Sequence, residues 1–512
     1  MGTFAELHDK VIIADPKDNV ATARVEIDAG VVLSRDDGED IIVRESIPFG
    51  HKLALERIAR GEPVFKYGQR IGVAARDITV GELVHVHNLL GERGQGVERR
   101  DEGARGRGDL PLRPRVSVSP LPYASCSRRF LGYKRDDGTV GVRNHVLILP
   151  TTVCASHVAK RIAEEVQGTV PLPHEHGCAQ KGSDLEQTRR ILVGIARNPN
   201  VAAVLVVGLG CETIGAPEVK EAVASSQKPV EMLIIQEAGG TGKSIQRGVE
   251  ITREMFSYAS KLDREEMDVE SLVIGTQCGG SDACSGISGN PASGYASDLV
   301  VEAGGTVILA ETTEMIGAEH LLAERAADRR VAERIVELVH RVEERAADMG
   351  VDIRGANPAP GNIAGGITTL EEKSLGAIVK AGASTINEVI EYGHRLTRSG
   401  LVIMDSPGQD TASITGELAS GAQIITFTTG RGTPVGSPIA PVIKIATNSR
   451  MFSRMMDNMD VNAGTIIDAE ETPQEVGQRI FSEILEVASG KLTRSEILGH
   501  REFSVDRLSP FF

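Results

Sequence analysis

Short apolar runs, each broken by glycine or a small polar residue, recur from about residue 130 onward and alternate with stretches of helical periodicity. The runs are VLVVGLGCE (204–212), SLVIGTQCGGSDACSG (271–286), VILAETTE (307–314), LVIMDSPGQD (401–410), ITFTTGRG (425–432) and VIKIATNS (442–449). A continuous apolar run of this length predicts a strand buried on both faces, as in parallel sheets. Helical patterning between them, at 216–227, 313–348 and 371–393, predicts an α/β fold with doubly wound sheets. Open α/β sheets bind ligands outside the carboxyl ends of their strands. The polar tips of these runs, with their Cys, Glu, Asp and Asn, are therefore expected to rim one pocket.

The rest of the chain divides around this region. Residues 1–90 alternate short β-type runs with turns and predict a small β-rich domain holding one helix at 51–60. Residues 91–127 are rich in Gly, Arg and Pro without apolar periodicity, which is linker composition. The α/β portion is expected to form two lobes, 128–350 and 351–512. An amphipathic helix around 319–348, closed by Gly350, would separate them.

Length and composition narrow the possibilities. A chain of 512 residues exceeds one ordinary core. Aromatics are only 3% and Trp is absent, so packing must rest on aliphatic side chains. A net charge of −15 argues against nucleic acid as the main partner, since phosphate binding needs a cationic surface. It leaves a small anionic substrate open, because local field outweighs net charge. No apolar run approaches the roughly 18–20 residues of a membrane span. Six scattered cysteines read as thiols of a cytoplasmic protein rather than a disulfide framework.

Several constellations carry candidate chemistry. His85 and His87 share a face if the strand before them continues, and His51 follows a glycine turn; together they are candidate metal ligands. Asp18-Asn19 can hold a hydroxyl or carboxylate, or serve as a turn pair. His174-Glu175-His176-Gly177-Cys178 offers an acid, a base or a ligand, or is a hydrogen-bonded loop. Cys154, Cys178, Cys211 and Cys278 fall near strand ends and are candidate iron–sulfur ligands, although their spacing matches no cluster motif. AGGTGKS (238–244) lacks the first glycine of a phosphate loop, which is Glu237 here, so nucleotide binding is not expected. The segment 357–376 joins Asn362 and paired glycines to Glu371-Glu372, which suit the first turn of a helix. No G-x-G-x-x-G dinucleotide fingerprint is present, which disfavours a Rossmann dehydrogenase.

Together these segments resemble the altronate/galactarate dehydratase family of sugar-acid lyases. The likeness runs through DNVATA, IPFGHK and VFKYGQRIGVAARDITVGELVHVHN near the front. It continues through FLGYKRDDGTVGVRNHVLILPTTVC, HEHGC, GLGCE, CGGSDACSGISGNP, NPAPGNIAGGITTLEEKSLGAIVKAG and KIATNS. It implies an SAF-type β domain over residues 1–90 and a large Rossmann-like α/β catalytic portion. It also implies dehydration of an aldonate or aldarate to a 2-keto-3-deoxy acid, with Fe²⁺ or occasionally Mn²⁺. The chemistry agrees: a metal-held hydroxy-carboxylate acidifies the neighbouring C–H, a base removes the proton, and an acid protonates the departing hydroxyl. Expected metal ligands are His51, His85 and His87. Expected catalytic groups are His174, Glu212, Cys278 and Asp282. Substrate is expected to meet Asp18, Asn19, Ser281, Asn362, Arg431 and Lys444. A homo-oligomer, a dimer in the first instance, is expected. A related branch with two separate subunits eliminates sulfite from sulfolactate, which is the rival reaction; a non-catalytic sugar-acid-binding protein is the rival class.

Overall fold

The computed structural model describes residues 4–35, 38–94 and 128–509. From residue 95 on, the expected linker 91–127 lies outside the described residues. Residues 4–94 form a β unit of short strands in three small sheets. Two isolated antiparallel bridges, Ile27 with Ile47 and Ile58 with Ile78, tie its turns together through buried isoleucines. The helix expected at 51–60 is absent. Lys52–Ala54 is instead a fully buried strand between Val20–Ala23 and Leu83–Val84. Its apolar run is short enough to suit either period, and pairing on both edges decides the outcome.

The α/β portion contains two parallel sheets, with strands numbered from β1 in chain order. The smaller has β1 (His145–Pro150), β2 (Val170–Pro171), β3 (Val201–Gly208) and β4 (Val230–Ile234), in the order β2-β1-β3-β4. The larger has β5 (Val273–Cys278), β6 (Thr306–Leu309), β7 (Ile386–Ile390), β8 (Gly400–Met404), β9 (Ile424–Thr429), β10 (Val442–Ala446) and β11 (Val461–Asn462). Its order is β7-β8-β6-β5-β9-β10-β11, parallel throughout. Strands β3 and β8 to β10 are buried along their whole length, the reason β3 and β8 read as apolar runs without alternation. The sheets pack through two helices, Gly182–Arg197 and Asp410–Ser420. Their approach is so close that a Cβ on Gly194 would lie 2.6 Å from the Ala419 carbonyl oxygen.

The helix expected through 319–348 is two helices, Glu319–Ala323 and Arg329–Asp348. The Asp328 carboxylate accepts a hydrogen bond from Val331 N at 2.9 Å and starts the second one afresh. Gly350 follows its end at φ +65°, as expected of a terminating glycine. This helix does not divide two sheets: β5 and β6 precede it and the other five strands of the large sheet follow it. The chain winds outward from β5 through β6 to β8 and β7, then returns to place β9 on the other side of β5. That reversal puts a topological switch point at the carboxyl ends of β5 and β9.

Candidate functional site

Loops from both sides of the switch point meet there. Backbone N–H groups of Gly430 and Arg431, after β9, donate to the Gly280 carbonyl, after β5, at 3.3 and 2.9 Å. Cys278 ends β5 and is buried. Its Sγ lies 3.0 Å from Glu314 Oε2, and Lys380 Nζ donates to the sulfur at 3.2 Å and to Glu314 at 2.8 Å. Glu311, 3.7 Å from Lys380, has a buried Oε2 without a hydrogen-bond partner. Its backbone sits at φ +67°, a strained conformation for a residue with a side chain, of the kind that gathers at functional sites.

The two carboxyls at this point are driven apart in protonation. Burial, then the charge of Glu314, raises Glu311 well above the usual carboxylate range and so favours its protonated form. Burial also opposes ionisation of Glu314, but Lys380 and Lys373 outweigh it and hold that group at about 2. Burial opposes the Lys380 charge too, yet Cys278, Glu314 and Glu311 more than compensate. Burial pushes the Cys278 thiol far up, so it stays protonated. The arrangement is one neutral acid and one fixed carboxylate side by side. Oppositely perturbed pairs of this kind mark acid and base roles.

The neighbouring loop is braced rather than reactive. Asp282 accepts from Ser285 N and Oγ, from Thr447 Oγ1 (each 3.0 Å) and from Asn448 Nδ2 (2.9 Å). Asn362 donates to Ser281 O at 2.8 Å and accepts from Ala359 N at 2.8 Å, so its amide is used in holding two loops together. The buried Ser281 hydroxyl has no partner. Lys444 is wholly buried and spends two of its three N–H donors within the fold, on Pro434 O at 2.9 Å and Ser495 Oγ at 2.6 Å. Arg431 is exposed, and among the described residues its guanidinium has no ion pair.

The small β unit docks beside this loop through a buried charge cluster. Glu372 binds Lys52 at 2.8 Å and Lys66 at 2.9 Å, with Thr368 donating to it at 2.6 Å. His51 and His85 stack at 5.0 Å between ring centroids. His51 Nδ1 lies 3.2 Å from Phe49 O and His85 Nε2 lies 3.1 Å from Ile363 O. His87 does not join them. The strand ends at Val84, because Asn88 accepts from His85 N and donates to Leu83 O, each at 2.9 Å, and turns the chain. Same-face placement of the two histidines therefore fails. His87 lies instead with Glu45 and Glu82 at the surface. Asp18 and Asn19 are turn residues: Asp18 accepts from Tyr67 N and Gly68 N, and Asn19 clamps Phe65 N and Pro63 O.

At the carboxyl edge of the smaller sheet, His174 is consumed by backbone. Its Nδ1 accepts from His176 N at 3.1 Å, so Nε2 carries the proton and donates to Pro150 O at 2.7 Å. Burial lowers it to about 4, and it stays neutral. Glu212 accepts from Thr151 Oγ1 at 2.8 Å and from Gly210 N at 2.6 Å. Cys154, Cys178 and Cys211 are exposed there, whereas Cys278 is buried in the other sheet and engaged by Lys380 and Glu314, so the four do not act as one set.

Three donor sets bear on a metal, one of them the surface group of Glu45, Glu82 and His87. Cys278, Glu311 and Glu314 bring ligand atoms within 4.8 Å of one another. The Lys380 ammonium already stands among them, and a divalent ion would have to displace it. The histidine pair offers two ligands and belongs to no group of three such donors among the described residues. Burial lowers both rings, and each has one nitrogen on a backbone carbonyl, the outer support that fixes the tautomer of a ligating imidazole.

Sequence reasoning missed Glu311, Glu314, Glu372 and the lysines at 52, 66 and 380. A signal was present: Lys52, Lys66, Lys380 and Lys444 each follow or interrupt an apolar run, and all four are fully buried. A lysine kept inside such a run needs a buried acid or carbonyl opposite it.

Compared with known proteins, the chain matches three family models in succession. They are the altronate/galactarate dehydratase SAF domain over 9–92, the D-galactarate dehydratase/altronate hydrolase second domain over 132–260, and the D-galactarate/altronate dehydratase C-terminal domain over 269–510. It is 36% identical to altronate dehydratase of Bacillus subtilis over 99% of both chains. It is 36% identical to altronate dehydratase of Escherichia coli, covering 95% of this chain and 97% of the relative. The (2R)-sulfolactate sulfo-lyase subunit beta of Chromohalobacter salexigens is 39% identical over 74% of this chain and 98% of its own. A parallel α/β protein with an N-terminal SAF domain and a buried acid pair at its switch point is thus defined. The chain belongs to the altronate/galactarate dehydratase family.

Proposed function

We propose that this protein is a hydro-lyase that removes water from an aldonate or aldarate to give a 2-keto-3-deoxy sugar acid. The observation that carries the reading is the buried Glu311–Glu314 pair, forced into opposite protonation states at the switch point of the large sheet. Loss of hydroxide needs a proton donor, and Glu311, whose burial beside Glu314 favours the protonated form, is placed for that purpose. Glu314, fixed as a carboxylate by Lys380 and Lys373, keeps Glu311 protonated and Lys380 in place. Arg431, exposed at the same edge, receives the substrate carboxylate. Full-length likeness to altronate dehydratases supports the substrate class.

His51 and His85 are the residues that fit a single ferrous ion. Bound there, the ion would supply Lewis acidity to a carboxylate and its α-hydroxyl. His174, Glu212, Asn362, Lys444, Asp18 and Asn19 act as scaffold in this reading, because their hydrogen bonds are already used within the fold. Asp282 braces the switch-point loop.

The test is an anaerobic assay for keto-acid product across altronate, galactarate and related acids, beside an assay of sulfite release from sulfolactate. Keto acid from at least one sugar acid is expected. Sulfite release without keto acid would transfer the protein to the sulfo-lyase branch, and no product from either class would overturn the reading.

A further inference from the structure

Three of the five described free cysteines, Cys154, Cys178 and Cys211, are exposed, although free cysteine is among the most buried residue types. All three follow adjacent strands of the smaller sheet: Cys154 after β1, Cys178 after β2, Cys211 after β3. The loops that carry them are knotted together. Val153 N donates to His176 O at 3.0 Å, and Thr213 N donates to Gly177 O at 3.1 Å. Thr151 Oγ1 donates to Glu212 Oε1 at 2.8 Å. Each thiol is the immediate chain neighbour of a residue in this knot: Cys154 of Val153, Cys178 of Gly177, Cys211 of Glu212. A Cβ on Gly177 would lie 1.9 Å from Thr151 O, so only glycine lets the Cys178 loop close against the end of β1.

The backbone around the thiols is also unusual. Gly177 at φ +99° and Ala179 at φ +56° flank Cys178, and Gly210 at φ +120° precedes Cys211. Positive-φ turns of this kind gather backbone N–H groups into anion-binding concavities, iron–sulfur sites included. Helices Val153–Glu165 and Ala216–Ala224 begin beside the knot without a side-chain cap. Their positive ends favour negative charge. The buried Thr152 hydroxyl, two residues before Cys154, has no hydrogen-bond partner.

We infer that Cys154, Cys178 and Cys211 hold a cubane iron–sulfur cluster. The three thiols do not bring their sulfurs within 4.8 Å of one another as a single ion would require. A cluster does not ask for that, because its own body stands between its ligands. Each thiol gives up its proton on ligation, and no further protein group is consumed. Three thiolates cover three corners and leave one iron open to an oxygen ligand. If the hydro-lyase reading is right, a hydroxy-carboxylate is that ligand, and the cluster then takes over the Lewis-acid part otherwise given to an ion at His51 and His85; in that respect the inference rests on that reading. Cys278, the fourth thiol singled out in the sequence, stays outside the set.

The test is anaerobic purification of the full chain, with iron and acid-labile sulfide measured before and after incubation with ferrous iron and sulfide. About four irons and four sulfides per chain are expected, with a broad visible absorption. Cys154→Ser, Cys178→Ser and Cys211→Ser should each lose the sulfide and the colour while retaining wild-type circular dichroism. Cys284→Ser, which alters a buried thiol elsewhere, should retain both. Altronate or galactarate should shift the electron paramagnetic resonance signal of the reduced protein. Iron bound without sulfide, or colour that survives in all three variants, overturns the inference. A clustered protein that makes no keto acid sinks the hydro-lyase reading and leaves the cluster standing. Keto-acid formation by sulfide-free protein does the reverse.

Discussion

The carboxyl edges of the two parallel sheets look alike in sequence and differ in space. Both follow apolar strands with Cys, Glu and Gly. At the large sheet the polar groups face one another: Cys278, Glu311, Glu314 and Lys380 form a closed, buried network. At the small sheet the polar groups face backbone. His174 and Glu212 spend their hydrogen-bonding capacity on carbonyls, N–H groups and a threonine, which leaves three thiols exposed. Proton chemistry suits the first edge, where burial moves pKa values apart. Ligand capture suits the second, where rigid loops hold free donors.

The most severe way to break this contrast is Lys380→Met. It leaves Glu314 ionised in the interior without its main partner, and removal of one member of a buried pair costs about 3–5 kcal/mol. Urea unfolding should show that loss, and Glu314→Gln added to it should restore some of it. A loss below ~1 kcal/mol would mean that the network does not carry the charge assigned to it. Glu311→Gln sharpens the same edge. Glutamine replaces a carboxyl that already holds its proton, so stability should move by less than ~1 kcal/mol. Keto-acid formation should fall by roughly 10²–10⁴-fold, the usual contribution of a positioned acid. Full activity in that variant would remove Glu311 from the reaction.

At the small sheet the expected response is to pH. His174 titrates at about 4 in the folded protein against roughly 6.5 when unfolded. Between those values the unfolded chain binds more protons, so stability is intact above about 6.5 and falls as pH drops toward 4. The loss reaches ~3 kcal/mol only below about pH 4, where the folded histidine is protonated as well. His174→Gln should flatten that stretch of the stability profile measured by denaturant melts. An unchanged slope would place the acid sensitivity elsewhere.

Much of this was legible before the structure. Apolar runs such as VLVVG and LVIM marked β3 and β8, because strands buried on both faces leave no alternation to misread. The Gly350 terminator was equally plain. The failures share a cause. Lys52–Ala54 read as a helix because a short Ala/Leu run suits either period, and partners far along the chain choose. Asp282 read as a catalytic group, and Lys444 and Asn362 as substrate contacts, because sequence shows a polar residue at a strand end and hides its partner. Thr447, Ser495 and Ser281 supply those partners from 165, 51 and 81 residues away. Glu372 read as a helix-capping acid; its first-turn position was right, and its role in holding Lys52 and Lys66 across the junction was invisible.

The smallest effect separates binding from chemistry at the large sheet. Arg431 reaches the surface from a loop whose backbone is pinned to Gly280 at 2.9 Å, so truncating its side chain leaves that loop anchored. Its guanidinium has no ion pair among the described residues, so removal strands no buried acid. Arg431→Met should therefore leave stability and kcat near wild type. KM for a sugar acid should rise about tenfold, the worth of one exposed charge-assisted contact of roughly 1.4 kcal/mol. Arg431→Lys should recover some of the loss, since a point charge replaces the fork without its bidentate geometry. A fall in kcat with unchanged KM would instead place Arg431 in the transition state. An unchanged KM and kcat would move the substrate carboxylate away from this edge, toward the exposed thiols of the other.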